Sequence, residues 1–166
     1  MQPKLARRAW FHSQNRVLEA RTVVPAVLEQ VFDFFSRAQN LERLTPSNLS
    51  FKILTPFPIE MKLGATIDYR IRLLGVPFRW RTLITAWEPP FLFADDQARG
   101  PYQFWRHEHR FAATEGGTEI NDRVEYRVAG GIFEPLVHGL FVGPQLKRIF
   151  DHRESTIKHL FSKEGP

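Results

Sequence analysis

From Arg16 to Val24 apolar and polar residues alternate, with Val17, Glu19, Arg21 and Val23 set against Leu18, Ala20, Thr22 and Val24. That is the period-two pattern of a half-buried strand. Pro25 then opens a helix, where its missing N–H costs nothing, and Val27, Val31, Phe34 and Phe35 form the apolar stripe. A shorter helical piece over 40–44 stops ahead of Thr45-Pro46, since a residue before proline disfavours the helical region. Six strands are predicted next, at 49–54, 66–74, 77–87, 91–98, 103–113 and 118–128. They are separated by Gly75, Pro89-Pro90, Gly100-Pro101 and Gly116-Gly117, and connections this short imply antiparallel neighbours. From Pro144 a long helix carries Leu146, Ile149, Phe150, Ile157, Leu160 and Phe161 on one stripe. Gly143-Pro144 marks its start or a kink after a turn containing Leu136, Val137, Leu140 and Phe141. One curved antiparallel sheet of seven strands, wrapped around the terminal helix, buries both apolar faces, an α+β architecture.

The segment 105–111 reads W-R-H-E-H-R-F. Trp105, His107, His109 and Phe111 share one face of the strand, and Arg106, Glu108 and Arg110 the other. Two histidines on the face meant for burial imply that it lines something besides packed hydrocarbon. Charge sets the register of the last hairpin. A two-residue Glu115-Gly116 loop puts Glu108 opposite Arg123 and Arg106 opposite Glu125, both favourable. A Gly116-Gly117 loop faces Arg110 with Arg123, Glu108 with Glu125 and Arg106 with Arg127, all repulsive. The first register sets His109 opposite Asp122, His107 opposite Val124 and Trp105 opposite Tyr126. On the preceding strands Ile67, Tyr69, Ile71 and Leu73, with Phe78, Trp80, Thr82 and Ile84, point inward by the same alternation. Arg70, Arg72, Arg79 and Arg81 then point outward beside Asp68, with Asp95 or Asp96 expected to relieve their repulsion.

Composition narrows the classes. The chain has 166 residues, of which 43% are apolar and 25% charged, the makeup of one globular domain. Fifteen Phe, four Trp and three Tyr are enough to line a pocket for a flat or greasy ligand. With no cysteine there is no disulfide, thiolate nucleophile or cysteine-bound metal, a pattern compatible with a reducing, cytoplasmic setting. No apolar run approaches a membrane span and no secretory leader pattern is evident. The domain is expected over 16–166, preceded by a basic arm at 1–15 with Trp10 and Phe11 among Lys4, Arg7 and Arg8. A net charge of +5 favours weak contact with anionic surfaces through Arg70, Arg72, Arg79 and Arg81. No zinc finger or RNA-binding sheet signature accompanies it, so no nucleic-acid partner is expected.

The element order resembles the helix-grip fold of the START/Bet v 1-like (SRPBCC) superfamily, with its polyketide cyclase/dehydrase-like and coenzyme Q-binding members. L-T-P at 44–46, W-E-P-P at 87–90, G-P-Y at 100–102, W-x-H-x-H-x-F at 105–111 and D-x-V-x-Y at 122–126 bring it nearest a bacterial cyclase/dehydrase-like group. Some relatives place this module ahead of a nucleotide-sugar-epimerase-like domain; the chain has no G-x-G-x-x-G for a dinucleotide. The resemblance implies a helix-grip fold and a small hydrophobic ligand, aromatic, isoprenoid or lipid-like. It brings no catalytic residues with it, since fold alone does not dictate chemistry.

Candidate ligand contacts are Tyr69, Trp80, Thr82, Trp105, His107, His109, Asp122 and Tyr126. The inward Asp122 beside His109 admits three readings: a satisfied buried pair, polar contacts that orient a ligand, or a cyclase/dehydratase-type acid–base pair in which Asp122 supports His109. His107 and His109, with Cα atoms about 6.6 Å apart on one face, could chelate a metal with Asp122. Without a clear fourth ligand neither a metal nor another cofactor is assigned. A partner-binding module acting through the outer arginines is the remaining alternative.

Overall fold

The structure, a computed structural model, describes residues 15–162, so the expected basic arm falls outside the described residues except for Asn15. Seven strands form one antiparallel sheet: β1 Arg16–Val24, β2 Lys52–Ile53, β3 Thr66–Leu73, β4 Val76–Glu88, β5 Leu92–Arg99, β6 Phe104–Thr114 and β7 Gly117–Arg127. Their spatial order is β1-β7-β6-β5-β4-β3-β2, a meander whose first strand closes onto its last. Helix α1 (Leu28–Ser36) and two 3₁₀ turns link β1 to β2, and α2 (Glu134–Val137) leads through a π turn into α3 (Gly143–Ser162). This is a helix-grip fold. Among the described residues no helix is long and apolar enough to cross a membrane.

The hairpin register read from charge is the observed one, with Glu108 paired to Arg123 and Arg106 to Glu125 around the Glu115-Gly116 loop. Gly117 there has φ of 117° and lies so close to β1 that a Cβ would overlap the Val24 carbonyl, so no larger residue fits. β3 and β4 turn through Leu74 and Gly75, both at positive φ, the twist a two-residue hairpin requires.

Three boundaries differ from the sequence reading. Helix α1 starts at Leu28 and not at Pro25, because Ala26 is tied back to the sheet: its N–H donates to Val24 O and its carbonyl accepts from Thr118 Oγ1. The buried stripe is consequently Leu28, Val31, Phe32 and Phe35, while Val27 is exposed. The second helical piece begins at Ala38 as a 3₁₀ turn. The strand expected over 49–54 shrinks to two residues, because Ser47–Leu49 form a 3₁₀ turn ending on Ser50 in the left-handed region.

The core divides into three clusters. α1 packs with Phe93, Phe111, Ile120, Ile157 and Phe161; Leu146 and Phe150 pack on Val124, Tyr126 and Val128; Leu49, Ile71 and Trp80 form the third beneath Ile149. Outside, Arg70 faces Arg79 and Arg81 is held bidentately by Asp68. The expected relief from Asp95 or Asp96 does not occur. Asp96 accepts from Thr85 and lies 3.9 Å from Arg106, and Asp95, cross-strand from His107, points inward.

Candidate functional site

A cavity of about 150 Å³ lies among the three clusters, between α3 and the inner face of β3–β6. One side is aromatic. Tyr69 stacks on Trp80 at 5.8 Å and Trp105 stands edge-on to Trp80 at 5.3 Å. Tyr102 closes the box, 5.6 Å from Trp80 and 4.8 Å from Trp105. The G-P-Y turn places Tyr102: Gln97 donates to its carbonyl and accepts from its N–H. Gly100 leaves room for that Gln97 side chain, which a Cβ would strike. Tyr69 lies 3.4 Å from Thr82 Oγ1, and burial pushes its phenol well above the usual range, so it stays neutral.

The other side carries the imidazoles. His107 and His109 are 6% and 2% exposed, their ring centroids 3.9 Å apart, and Phe93 stacks on His109 at 4.3 Å. Asp122, from β7, uses one carboxylate oxygen for both rings. His107 Nε2 donates to Oδ1 at 3.1 Å, and His109 Nδ1 stands 2.5 Å from the same atom. The second contact is out of line for a hydrogen bond, so it is an ion pair and not a formed hydrogen bond.

Two identical side chains on one strand thus acquire opposite protonation. Burial, then the neighbouring His109 charge, holds His107 down at about 4. Burial alone would also lower His109, but the adjacent Asp122 charge, with Asp95 3.8 Å from Nε2, outweighs it and raises His109 above the ordinary histidine value. Burial alone would raise Asp122; the His109 and Arg153 charges and both imidazole contacts hold it well below the carboxylate range. The result is an ion pair of Asp122 with His109 beside a neutral His107.

Of the residues singled out in the sequence, Tyr69, Trp80, Thr82, Trp105, His107 and His109 line the cavity. Asp122 sits behind the imidazoles and is not on the lining. Tyr126 is buried beyond the lining, with its hydroxyl 2.7 Å from His138 Nε2. Asp95, Tyr102 and Arg153 are among the lining residues that escaped the sequence reading. Arg153 had a signal. It follows Phe150 by three residues and precedes Ile157 by four, a charge set in the buried stripe of α3.

Asp95, His107 and His109 place ligand atoms within 4.8 Å of one another, a set able to hold a metal, with Asp95 where the sequence suggested Asp122. The Arg153 charge, which opposes protonation of both rings, opposes a metal cation there by the same Coulombic repulsion.

Residues 24–154 match a family model described as "Polyketide cyclase / dehydrase and lipid transport". The chain belongs to that family. No curated protein matches the sequence. Among solved structures, protein Ms6760 from Mycobacterium smegmatis shares 15% identity at a TM-score of 0.63, over 92% of this chain and 93% of that one. Major latex-like protein 151 from Panax ginseng gives 10% and 0.65, over 89% and 98%. A norcoclaurine synthase point mutant from Thalictrum flavum, in complex with a transition-state analogue, gives 15% and 0.60, over 87% and 96%. At these identities the likeness carries the fold alone. Membership in the polyketide cyclase/dehydrase and lipid transport family supports hydrophobic ligand binding in general terms.

Proposed function

We propose that this protein binds a small, largely hydrophobic molecule built on a flat ring, held in the cavity under α3. Tyr69, Trp80 and Trp105 provide its apolar walls, and Thr82, His107 and His109 its polar contacts. Asp122 acts through the imidazoles, and Tyr126 acts only by backing the wall. The observation that carries this reading is the aromatic box around an unfilled volume of about 150 Å³. A cavity of roughly that size admits benzene in an engineered protein, so one ring fits without rearrangement.

The test is native mass spectrometry of protein purified from its own host, joined to thermal-shift titration with neutral one- and two-ring aromatics. A co-purifying small molecule, or a rise in Tm that Ile149→Trp abolishes by filling the cavity, supports the reading. An empty protein that no such compound stabilises overturns it.

A second reading draws on the Asp122–His109 ion pair at the cavity wall. In that arrangement a protonated His109 serves as general acid to a carbonyl oxygen, a step of cyclase or dehydratase chemistry. Of the two roles open to His109 in such an acid–base pair, its raised pKa favours the acid. His109→Ala separates the two: a catalytic role loses turnover while ligand affinity falls modestly, and a recognition role loses affinity alone.

A further inference from the structure

The polar groups left without partners around this cavity are donors. Arg153 projects from α3 into the lining at 9% exposure, and its Nε meets no acceptor. Among the described residues no carboxylate lies within ion-pair range of it. Its close neighbours are ring faces, Phe35 at 5.7 Å and Phe150 at 5.9 Å. Those faces stabilise a guanidinium but accept no directed hydrogen bond of the strength it can make. Trp80, on the same lining, also has its indole N–H buried without an acceptor.

The two carboxylates nearby are already engaged. Asp122 is committed to His107 and His109, and Asp95 stands toward His109 Nε2 at 3.8 Å. Arg153 attracts Asp122 through space, but that pull puts no acceptor on its Nε, and a buried donor left unpaired is costly. An aromatic box alone would suit a cationic ligand equally well, but the guanidinium in the same cavity repels one.

We infer that the ligand is a ring compound bearing a carboxylate, anchored on Arg153 while its ring lies in the Tyr69–Trp80–Tyr102–Trp105 box. This deepens the hydrophobic-ligand reading and rests on it. A planar carboxylate matches the guanidinium fork, accepting two parallel hydrogen bonds. A phosphate dianion would bring more charge than Arg153 neutralises into a mostly apolar space.

Calorimetric titration at pH 7 with benzoate, its neutral isostere benzamide and phenyltrimethylammonium tests the inference. Benzoate is expected to bind at least about tenfold more tightly than benzamide, the scale of a charge-assisted hydrogen bond. Arg153→Met should erase that difference, while Arg153→Lys should keep part of it. Equal binding of benzoate and benzamide, tighter binding of the ammonium probe, or a preference that survives Arg153→Met overturns the assignment of the anchor alone. If none of the three binds, the hydrophobic-ligand reading falls, and the anchor with it. The wild-type comparison decides even if Arg153→Met does not fold.

Discussion

His107 offers the cleanest quantitative handle. It sits at 6% exposure, donates to Asp122 Oδ1 at 3.1 Å, and is held down at about 4 by burial and by the adjacent His109 charge. In the unfolded chain it titrates near 6.5. Above that value both states leave it neutral and it has no effect on the pH dependence. As pH falls through 6.5 the unfolded chain takes up a proton that the folded one refuses, so stability drops until about pH 4, where both states are protonated. The gap of about 2.5 pH units corresponds to about 3 kcal/mol, lost between pH 6.5 and 4.

His107→Gln keeps a donor for Asp122 and cannot titrate. Urea unfolding of both proteins from pH 7.5 to 4 gives the difference between them, in which acids remote from this cluster cancel. That difference should shift by about 3 kcal/mol in favour of the variant as pH falls. The His107 ring signal in NMR should titrate near pH 4 in the folded protein. A constant difference across the range, or a ring titrating near 6.5, would refute the reasoning and mean that His107 is solvated.

His109 should act with the opposite sign. Its raised pKa gives stability fully present below pH 6.5 and lost as pH rises through the folded value, so NMR should find it protonated above the pH where a free histidine discharges. Ile157→Ala, at 1% exposure in the α1–α3 cluster, should cost about 2–5 kcal/mol in urea unfolding. Gly117→Ala should cost more than about 2 kcal/mol by combining a positive φ with collision against Val24 O, to be compared in the same assay with Gly64→Ala, whose Cβ meets nothing. Arg81→Gln, which loses a solvent-exposed bidentate pair with Asp68, should lower stability only slightly in the same assay, and the effect should fade in about 1 M salt.

Strand faces were legible in the sequence because a period-two pattern leaves little freedom once one face is buried. The β6–β7 register was legible because its outer row alternates in sign, and only one loop pairs Glu108 with Arg123. Asp95 was not legible. Leu92, Phe93 and Ala94 are all buried ahead of two adjacent aspartates, so the strand has no alternation from which to assign them. Irregularities in β4 near Thr82 and between Ile84 and Ala86 disturb the count further. Only the observed pairing with His107 places Asp95 inward. Tyr126 was given its correct face, but its hydroxyl answers to His138 in the turn before α3, a contact no periodicity encodes.

The arrangement of charge explains why this sheet tolerates two histidines where a packed core would carry Val or Ile. Asp122 has one oxygen shared between two rings, and two imidazolium ions 3.9 Å apart would repel each other strongly. One ring must therefore remain neutral, and the split falls by surroundings. His109 has Asp95 on its far side as well as Asp122 on its near side, whereas His107 has Asp122 alone, too little to offset its burial and the His109 charge. The row thus sets two carboxylates against one imidazolium, and the Arg153 charge supplies the second positive charge. Arg153 enters from α3 and its charge helps hold Asp122 ionised, yet its Nε meets no acceptor, so the hydrogen bond this cavity leaves unmade lies on the helix, not on the histidine strand.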